Sequence, residues 1–268
     1  MPAERRIFGL ETEFGLHLDA PNARAVTPEE VAGHLFHSVV RWGRSSNVFL
    51  PNASRLYIDV GAHPEYATAE CDTLTDLIAS DKAGERIVHD LVAEGEQRLA
   101  DAGVEGTIHL YKNNVDGKGA SYGTHENFLV RRDVDFDALA RLITSHLVTR
   151  QIVVGAGRVG LGQRGERAGF QISQRADYME AEIGLETTLR RPIVNTRDEP
   201  HADRRRWRRL HVIIGDANLS EVATFLKVGT TALVLAMVED DVLPRQFTFA
   251  APVPTLRRVS YDLGLRQA

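Results

Sequence analysis

The 268-residue chain is 43% hydrophobic and 26% charged with a formal net charge of −5, a balance without the basic field that nucleic-acid phosphates demand, which argues against a general nucleic-acid binder. Cys71 is its one cysteine, so an intrachain disulfide is excluded and a reducing compartment fits. No apolar run approaches the roughly 20 residues of a membrane helix, and Met1-Pro2-Ala3-Glu4-Arg5-Arg6 lacks the apolar core of a signal peptide, so no membrane is expected and the default location is cytoplasmic.

In chain order, Ile7 to Gly15 reads as a strand, with Phe8, Leu10 and Phe14 on one face and Glu11 and Glu13 on the other. Thr27, Pro28 and Glu30 supply an N-cap, a first helical proline and a capping box for a helix. Val31, Leu35, Val39 and Trp42 form its apolar stripe, and Gly43 ends it. His34 and His37 in this helix have no third ligand nearby in sequence, so packing or exposure is their expected role. Arg55 to Val60 alternates without a break. Leu56, Ile58 and Val60 face a core; Arg55, Tyr57 and Asp59 share the opposite side. Gly61 and Pro64 break the run, and a second short strand returns with Glu65 and Glu70.

A long helix is expected from Thr73 to Ala102, stopped by Gly103. Its Glu85, Asp90, Glu94 and Arg98 read as a solvated face. Ile108 to Lys112 is a strand, Asn113 to Gly119 a polar loop, and Ser121 to Val130 a strand on which His125 and Asn127 oppose Glu126 and Phe128. Another helix is predicted over Phe136 to Val153. Gly155-Ala156-Gly157-Arg158-Val159-Gly160 matches a dinucleotide fingerprint formally, but a helical pattern precedes it where a strand is needed, and Leu161 to Glu166 does not start a helix. It reads as a flexible loop. Phe170 to Arg175 alternates, with Gln171, Ser173 and Arg175 on the polar side. Pro192 to Pro200 reads as a loop, Arg204 to Arg209 as a cationic run, and Arg209 to Gly215 as a strand. Ser220 caps a helix from Glu221 to Val238 bearing Val222, Phe225, Leu226, Leu233, Val234 and Met237. The remainder shows no strong pattern.

About six short strands, mostly one-sided and separated by helices, give an α+β fold: an antiparallel sheet with helices behind and an open polar face in front. Glu11, Glu13, Asp59, Glu65 and Glu70 would crowd that face. Carboxylates so close repel one another, and a hard divalent cation relieves them. Arg55 and Arg209 suit a phosphate ester. The combination favours Mg²⁺–nucleotide chemistry, with the nucleotide lying on the sheet, since no Walker loop or kinase signature is present.

The strings Gly9 to Gly15, Trp42 to Leu50, Arg55 to Cys71, Tyr122 to Asn127, Ile193 to Asp203 and His211 to Asn218 resemble the Pup ligase family, part of the glutamine-synthetase-like carboxylate-amine ligases. The resemblance covers nearly everything from Arg5 to about Asp262. It implies a mainly antiparallel sheet cradle backed by helices, with residues 1–268 forming a single catalytic domain that lacks the C-terminal part of the family's chain. It also implies an ATP-dependent reaction, in which the side-chain carboxylate of the C-terminal glutamate of Pup is phosphorylated. A lysine amine of a target protein then displaces the phosphate, marking the target for the proteasome. Carried over by position, Glu11, Tyr57 and Glu65 match the family's magnesium ligands. Arg55 and Thr68 match ATP contacts, with Arg209 in a further cofactor-binding motif, and Asp59 matches the catalytic base. Two alternatives stand beside the ligase. One is a depupylase on the same scaffold, although its long insertion after the first strand is replaced here by the short stretch His17 to Val26. The other is a non-catalytic Pup- or nucleotide-binding remnant.

Overall fold

β1 (Phe8–Glu13) holds the middle of an eight-stranded sheet. The computed structural model describes residues 5–21, 25–116, 119–160, 168–243 and 248–266. The chain continues into β2 (Gly15–Asp19), α1 (Pro28–Leu35), α2 (His37–Gly43), β3 (Asn47–Phe49), β4 (Arg55–Asp59), β5 (His63–Ala67), α3 (Leu74–Asp101) and β6 (Thr107–Tyr111). Then follow β7 (Thr124–Arg131), α4 (Phe136–Thr149), α5 (Gln151–Val154), β8 (Arg158–Gly160), β9 (Gly169–Gln171), β10 (Ala181–Gly184), β11 (Pro192–Asn195), β12 (Trp207–Val212), α6 (Glu221–Glu239) and α7 (Pro252–Tyr261). The main sheet runs β10-β11-β12-β7-β1-β5-β4-β3, antiparallel except for the β10–β11 pair. β2 pairs with β6, and β8 with β9.

The helices pack against one side of the sheet. Phe8, Leu10, Phe128 and Val130 point from β1 and β7 into a core completed by Leu139, Ile143, Leu147, Val228, Leu235 and Leu256 of the helices. A second core gathers Phe14, Leu35, Leu56, Tyr66, Val88 and Leu99. α3 joins the two: Leu77 lies in the first, and Val88, Leu91 and Leu99 lie in the second. Its 28 residues span about 42 Å at 1.5 Å per residue. The α+β expectation therefore holds, with helices on one face of a mainly antiparallel sheet.

Several local expectations hold and others change. Thr27 and Glu30 form the capping box, but the helix breaks at Phe36 into α1 and α2, which turns Trp42 out to solvent. Val60 is exposed because the strand ends at Asp59, where Gly61, at φ 86°, makes the turn. Pro64 does not interrupt the return strand; it sits inside β5, and its carbonyl accepts from the Phe14 amide. Gly155 to Gly160 leads into the β8–β9 hairpin, while Leu161 to Glu166 lies outside the described residues. Pro192–Asn195 is a buried strand, and the tail carries α7. The face of Gln171, Ser173 and Arg175 is inverted relative to expectation: all three are buried while Phe170 is half exposed. The Gln171 side chain donates to Asp177, Ser173 Oγ donates to Asp216 and accepts from the Arg175 amide, and the Ser173 amide donates to Ser260 Oγ. α6, at 19 residues and mean hydropathy 1.6, is long and apolar enough to cross a membrane by length and composition, contrary to the expectation that no such run exists. It packs as part of the helix layer, with Thr224, Lys227, Thr231 and Leu235 buried.

Candidate active site on the open sheet face

A side-chain period of two sends alternate residues of each strand to the uncovered face. In β1 these are Gly9, Glu11 and Glu13; in β7, His125 and Asn127; in β4, Arg55, Tyr57 and Asp59. Register then aligns them across strands. Glu13 pairs with Glu65, which pairs with Tyr57. Glu11 pairs with His125 on one side and Ala67 on the other, and Asn127 pairs with His211. Sequence-distant polar groups thereby become neighbours.

The row through Glu13, Glu65 and Tyr57 is an acidic cluster. Carboxylate oxygens of Glu13, Asp59 and Glu65 lie within 4.8 Å of one another, and the Tyr57 hydroxyl donates to Glu65. Burial pushes the Glu65 carboxyl up to about 9, reinforced by the charges of Glu11 and Glu13. Burial and the neighbouring Glu65 and Glu11 push the Tyr57 phenol far above its ordinary range. Asp59 is also raised, by burial first and then against a hydrogen bond from the Val60 amide, with Glu13 adding to the rise.

Glu11 belongs to a different neighbourhood. Burial opposes its charge, but a hydrogen bond with His125 and the positive fields of His211, His125 and Arg209 hold its carboxyl at about 2. Asn127 Nδ2 donates to Glu11 Oε1 at 3.0 Å, and Arg209 Nη1 donates to Asn127 Oδ1 at 3.0 Å. His211 Nδ1 lies 2.9 Å from the same Oδ1. Glu11, His125 and His211 offer atoms within 4.8 Å of one another, a second group able to ligate a metal.

The remaining expected residues sit around these two clusters. Arg55 is exposed at the rim, with its guanidinium 4.8 Å above the Tyr57 ring and its Nε donating to Asn47 at 2.7 Å. The Thr68 hydroxyl accepts from the Leu10 amide at 3.1 Å, just beyond β5. Glu70 does not join the acids; it lies exposed after the strand has ended. Glu85 is not a solvated residue, since it shares Lys112 with buried Asp81 and also binds Lys82. Arg204 to Arg206 are exposed, away from the paired Arg209. His34 and His37 join no metal-ligand group among the described residues. His211 carried no assigned role in the sequence, although it follows Arg209 at strand spacing, and Glu13 differs from Glu11 only by the same spacing.

Three clustered carboxylates, buried Glu13 and Glu65 with half-buried Asp59, two of them pushed toward the protonated form, make a donor set that fits a hard cation such as Mg²⁺. Cationic groups at the rim fit the phosphates that accompany such an ion.

A family model described as Pup-ligase protein matches residues 6–268. The Pup–protein ligase of Nakamurella multipartita is 56% identical over 265 residues, 99% of this chain and 58% of that protein. That of Actinosynnema mirum is 55% identical over 264 residues, 98% of this chain and 58% of that protein. Among solved structures, the complex between prokaryotic ubiquitin-like protein Pup and its ligase PafA matches with a TM-score of 0.88 at 46% identity, covering 96% of this chain and 51% of that one. The Pup ligase PafA in complex with ADP gives 0.75 at 46% identity, covering 90% and 52%. The chain thus spans little more than half the length of these relatives.

Proposed function

The chain belongs to the Pup-ligase protein family, and on that premise we propose that residues 1–268 form a single catalytic domain whose open sheet face binds Mg²⁺–ATP and joins Pup to target proteins in the cytoplasm. The observation that carries this reading is the row of Glu13, Glu65 and Tyr57 with Asp59 beside it, an acidic floor between cationic rims. The relatives' names supply Pup as the partner, and the ADP complex of a relative supports ATP as the nucleotide.

In this reading Glu65 and Tyr57 would hold magnesium together with Glu11 from the neighbouring row of β1, with Glu13 beside Glu65 completing the anionic surroundings. When bound, the ion neutralises phosphate charge and orients the transferring phosphoryl group. Arg55, Thr68 and Arg209 bind the nucleotide. The side-chain carboxylate of Pup's C-terminal glutamate attacks the γ-phosphorus of ATP, ADP leaves, and an acyl phosphate forms. Asp59 then accepts a proton from the target's lysine ammonium. The freed amine attacks the acyl carbon and phosphate departs, leaving an isopeptide bond. Asp59 suits this role because it stands at the strand end beside the acid row, partly open to an incoming side chain. Asn127 orders the neighbouring group by accepting from Arg209 while donating to Glu11.

Incubation with Pup ending in glutamate, ATP, Mg²⁺ and a lysine-bearing protein tests the proposal. A heavier, ATP-dependent conjugate is the expected result. Loss of a pre-formed conjugate without synthesis would mark a depupylase, and nucleotide binding without either reaction would mark a binding remnant.

A further inference from the structure

Arg175 is a buried cation at the end of the acid row. It is 1% exposed, and its Nε and Nη1 have no hydrogen-bond partner among the described residues. Its position follows from Gly123, which continues the row of Tyr57, Glu65 and Glu13. The Gly123 amide donates to Glu13 Oε2 at 2.6 Å, and its carbonyl accepts from the Glu13 amide at 2.9 Å. A Cβ added at Gly123 would meet Arg175 Nη1 at 2.5 Å. The guanidinium therefore fills the place of the row's next side chain, buried at the end of the acid row on the face opposite the helices.

A scaffold arginine normally spends its donors on carbonyls or carboxylates. Two other arginines of the fold do so. Arg191 donates from Nε to Thr187 O and from Nη2 to Ser121 O, each at 2.9 Å. Arg150 binds both oxygens of Glu126. Arg175 does neither, yet its backbone is held firmly. Asp216 Oδ1 accepts from Ser173 Oγ at 2.9 Å and from the Arg175 amide at 3.2 Å, while Oδ2 accepts from Ala156 at 2.8 Å and Gln174 at 3.0 Å. Lys227 Nζ secures the Asp216 carbonyl at 2.7 Å. Burial draws the guanidinium down to about 10, against the fields of Glu13 and Asp216, so it stays protonated at neutral pH. A fixed, desolvated cation with free N–H groups calls for an anionic acceptor.

We propose that Arg175 is a binding residue for the anionic end of a substrate, its free N–H groups receiving a carboxylate or phosphoryl oxygen beside Glu13. The inference rests on the ligase reading above, which supplies two sources of that chemistry: the terminal phosphate of ATP and the C-terminal glutamate of Pup. Calorimetry in Mg²⁺ on Arg175→Met, Arg175→Lys and Gly123→Ala, with melting curves alongside, separates them. The probes are ADP, the β,γ-imido analogue of ATP, and Pup ending in glutamate. ADP affinity is expected to stay within twofold. A tenfold or greater loss for the imido analogue alone assigns the phosphoryl oxygen, and the same loss for Pup alone assigns the carboxylate. Gly123→Ala keeps the guanidinium but displaces it, so it should reproduce the loss. Folded variants with unchanged affinity for every probe would overturn the inference while leaving the ligase reading intact. Unfolding of all three variants would overturn it too, by marking Arg175 as scaffold. Failure of the wild-type chain to bind any probe would overturn the ligase reading and this inference with it.

Discussion

Glu65 is held under electrostatic tension by its burial and by the acids around it. Its folded-state carboxyl sits at about 9 against an ordinary 4.5, so without a cation the folded protein holds a proton that the unfolded chain releases. The stability this contributes is full below about pH 4.5 and is lost as pH rises toward 9. We expect the melting temperature in chelator to fall across that window and Glu65→Gln to flatten the fall. Mg²⁺ should raise the wild-type melting temperature at pH 8 by about 5–10 °C at a hundredfold excess over its dissociation constant. The variant should show little of that rise, and an equal rise would remove Glu65 from the metal site. Asp59→Asn is expected to lower conjugation ~10²–10⁴-fold, with Mg²⁺–ATP affinity nearly unchanged by calorimetry. Conjugation at the wild-type rate would exclude Asp59 as the base. Both residues were legible as one face of a strand pair. Glu13 was legible in the same way, but that Glu11 turns to His125 and Glu70 drops out of the acid group was not, because this depends on the β1–β5 register and on where β5 ends, and two strands some 50 positions apart do not announce their register in sequence.

Among the elements, α3 shows how far pattern reading extends. Its start at Thr73 and its stop at Gly103, φ 81°, are written in capping chemistry. Gly84 inside it looks like an ordinary helix-weakening glycine. The fold gives it a reason: a Cβ there would meet the Tyr66 ring at 2.2 Å. Tyr66 lies on β5 next to Glu65, and its hydroxyl accepts from Asn52 at 3.1 Å. Gly84→Ala should gain ~0.5–1 kcal/mol in helix propensity but lose more to overpacking of ~1–3 kcal/mol. A net loss is expected in denaturant titration, and a stabilised variant would show that Tyr66 moves aside freely. The alternation from Phe170 to Arg175 misled for the opposite reason. Period two shows which residues share a side, but not which side is wet, and here the polar side is buried around Asp177 and Asp216.

At the scale of the molecule, α6 presents Val222, Phe225, Leu226, Leu233 and Met237 to solvent on its outer surface. Its sequence shows an apolar helix, but only the assembled layer reveals which residues are left uncovered. So contiguous an apolar surface promotes association. The 268-residue chain should self-associate with rising concentration in sedimentation velocity, and Val222→Glu with Leu233→Glu should restore a monomer without lowering the melting temperature. A wild-type chain that stays monomeric at high concentration would refute this. The two-sidedness of β1 and β7 reaches furthest, because it partitions mutational tolerance. Positions 8, 10, 12, 124, 126 and 128 answer to the helix layer; positions 11, 125 and 127 answer to the cleft. Removing Glu126 strands Arg150 in the interior at ~3–5 kcal/mol, whereas removing Asn127 costs the fold little. In a substitution library of these strands, sorted first for folding and then for conjugation, the even-numbered positions should be depleted at the first gate and the odd-numbered ones at the second. Adjacent residues of one strand would then drift under separate selection, each blind to the constraints on its neighbour.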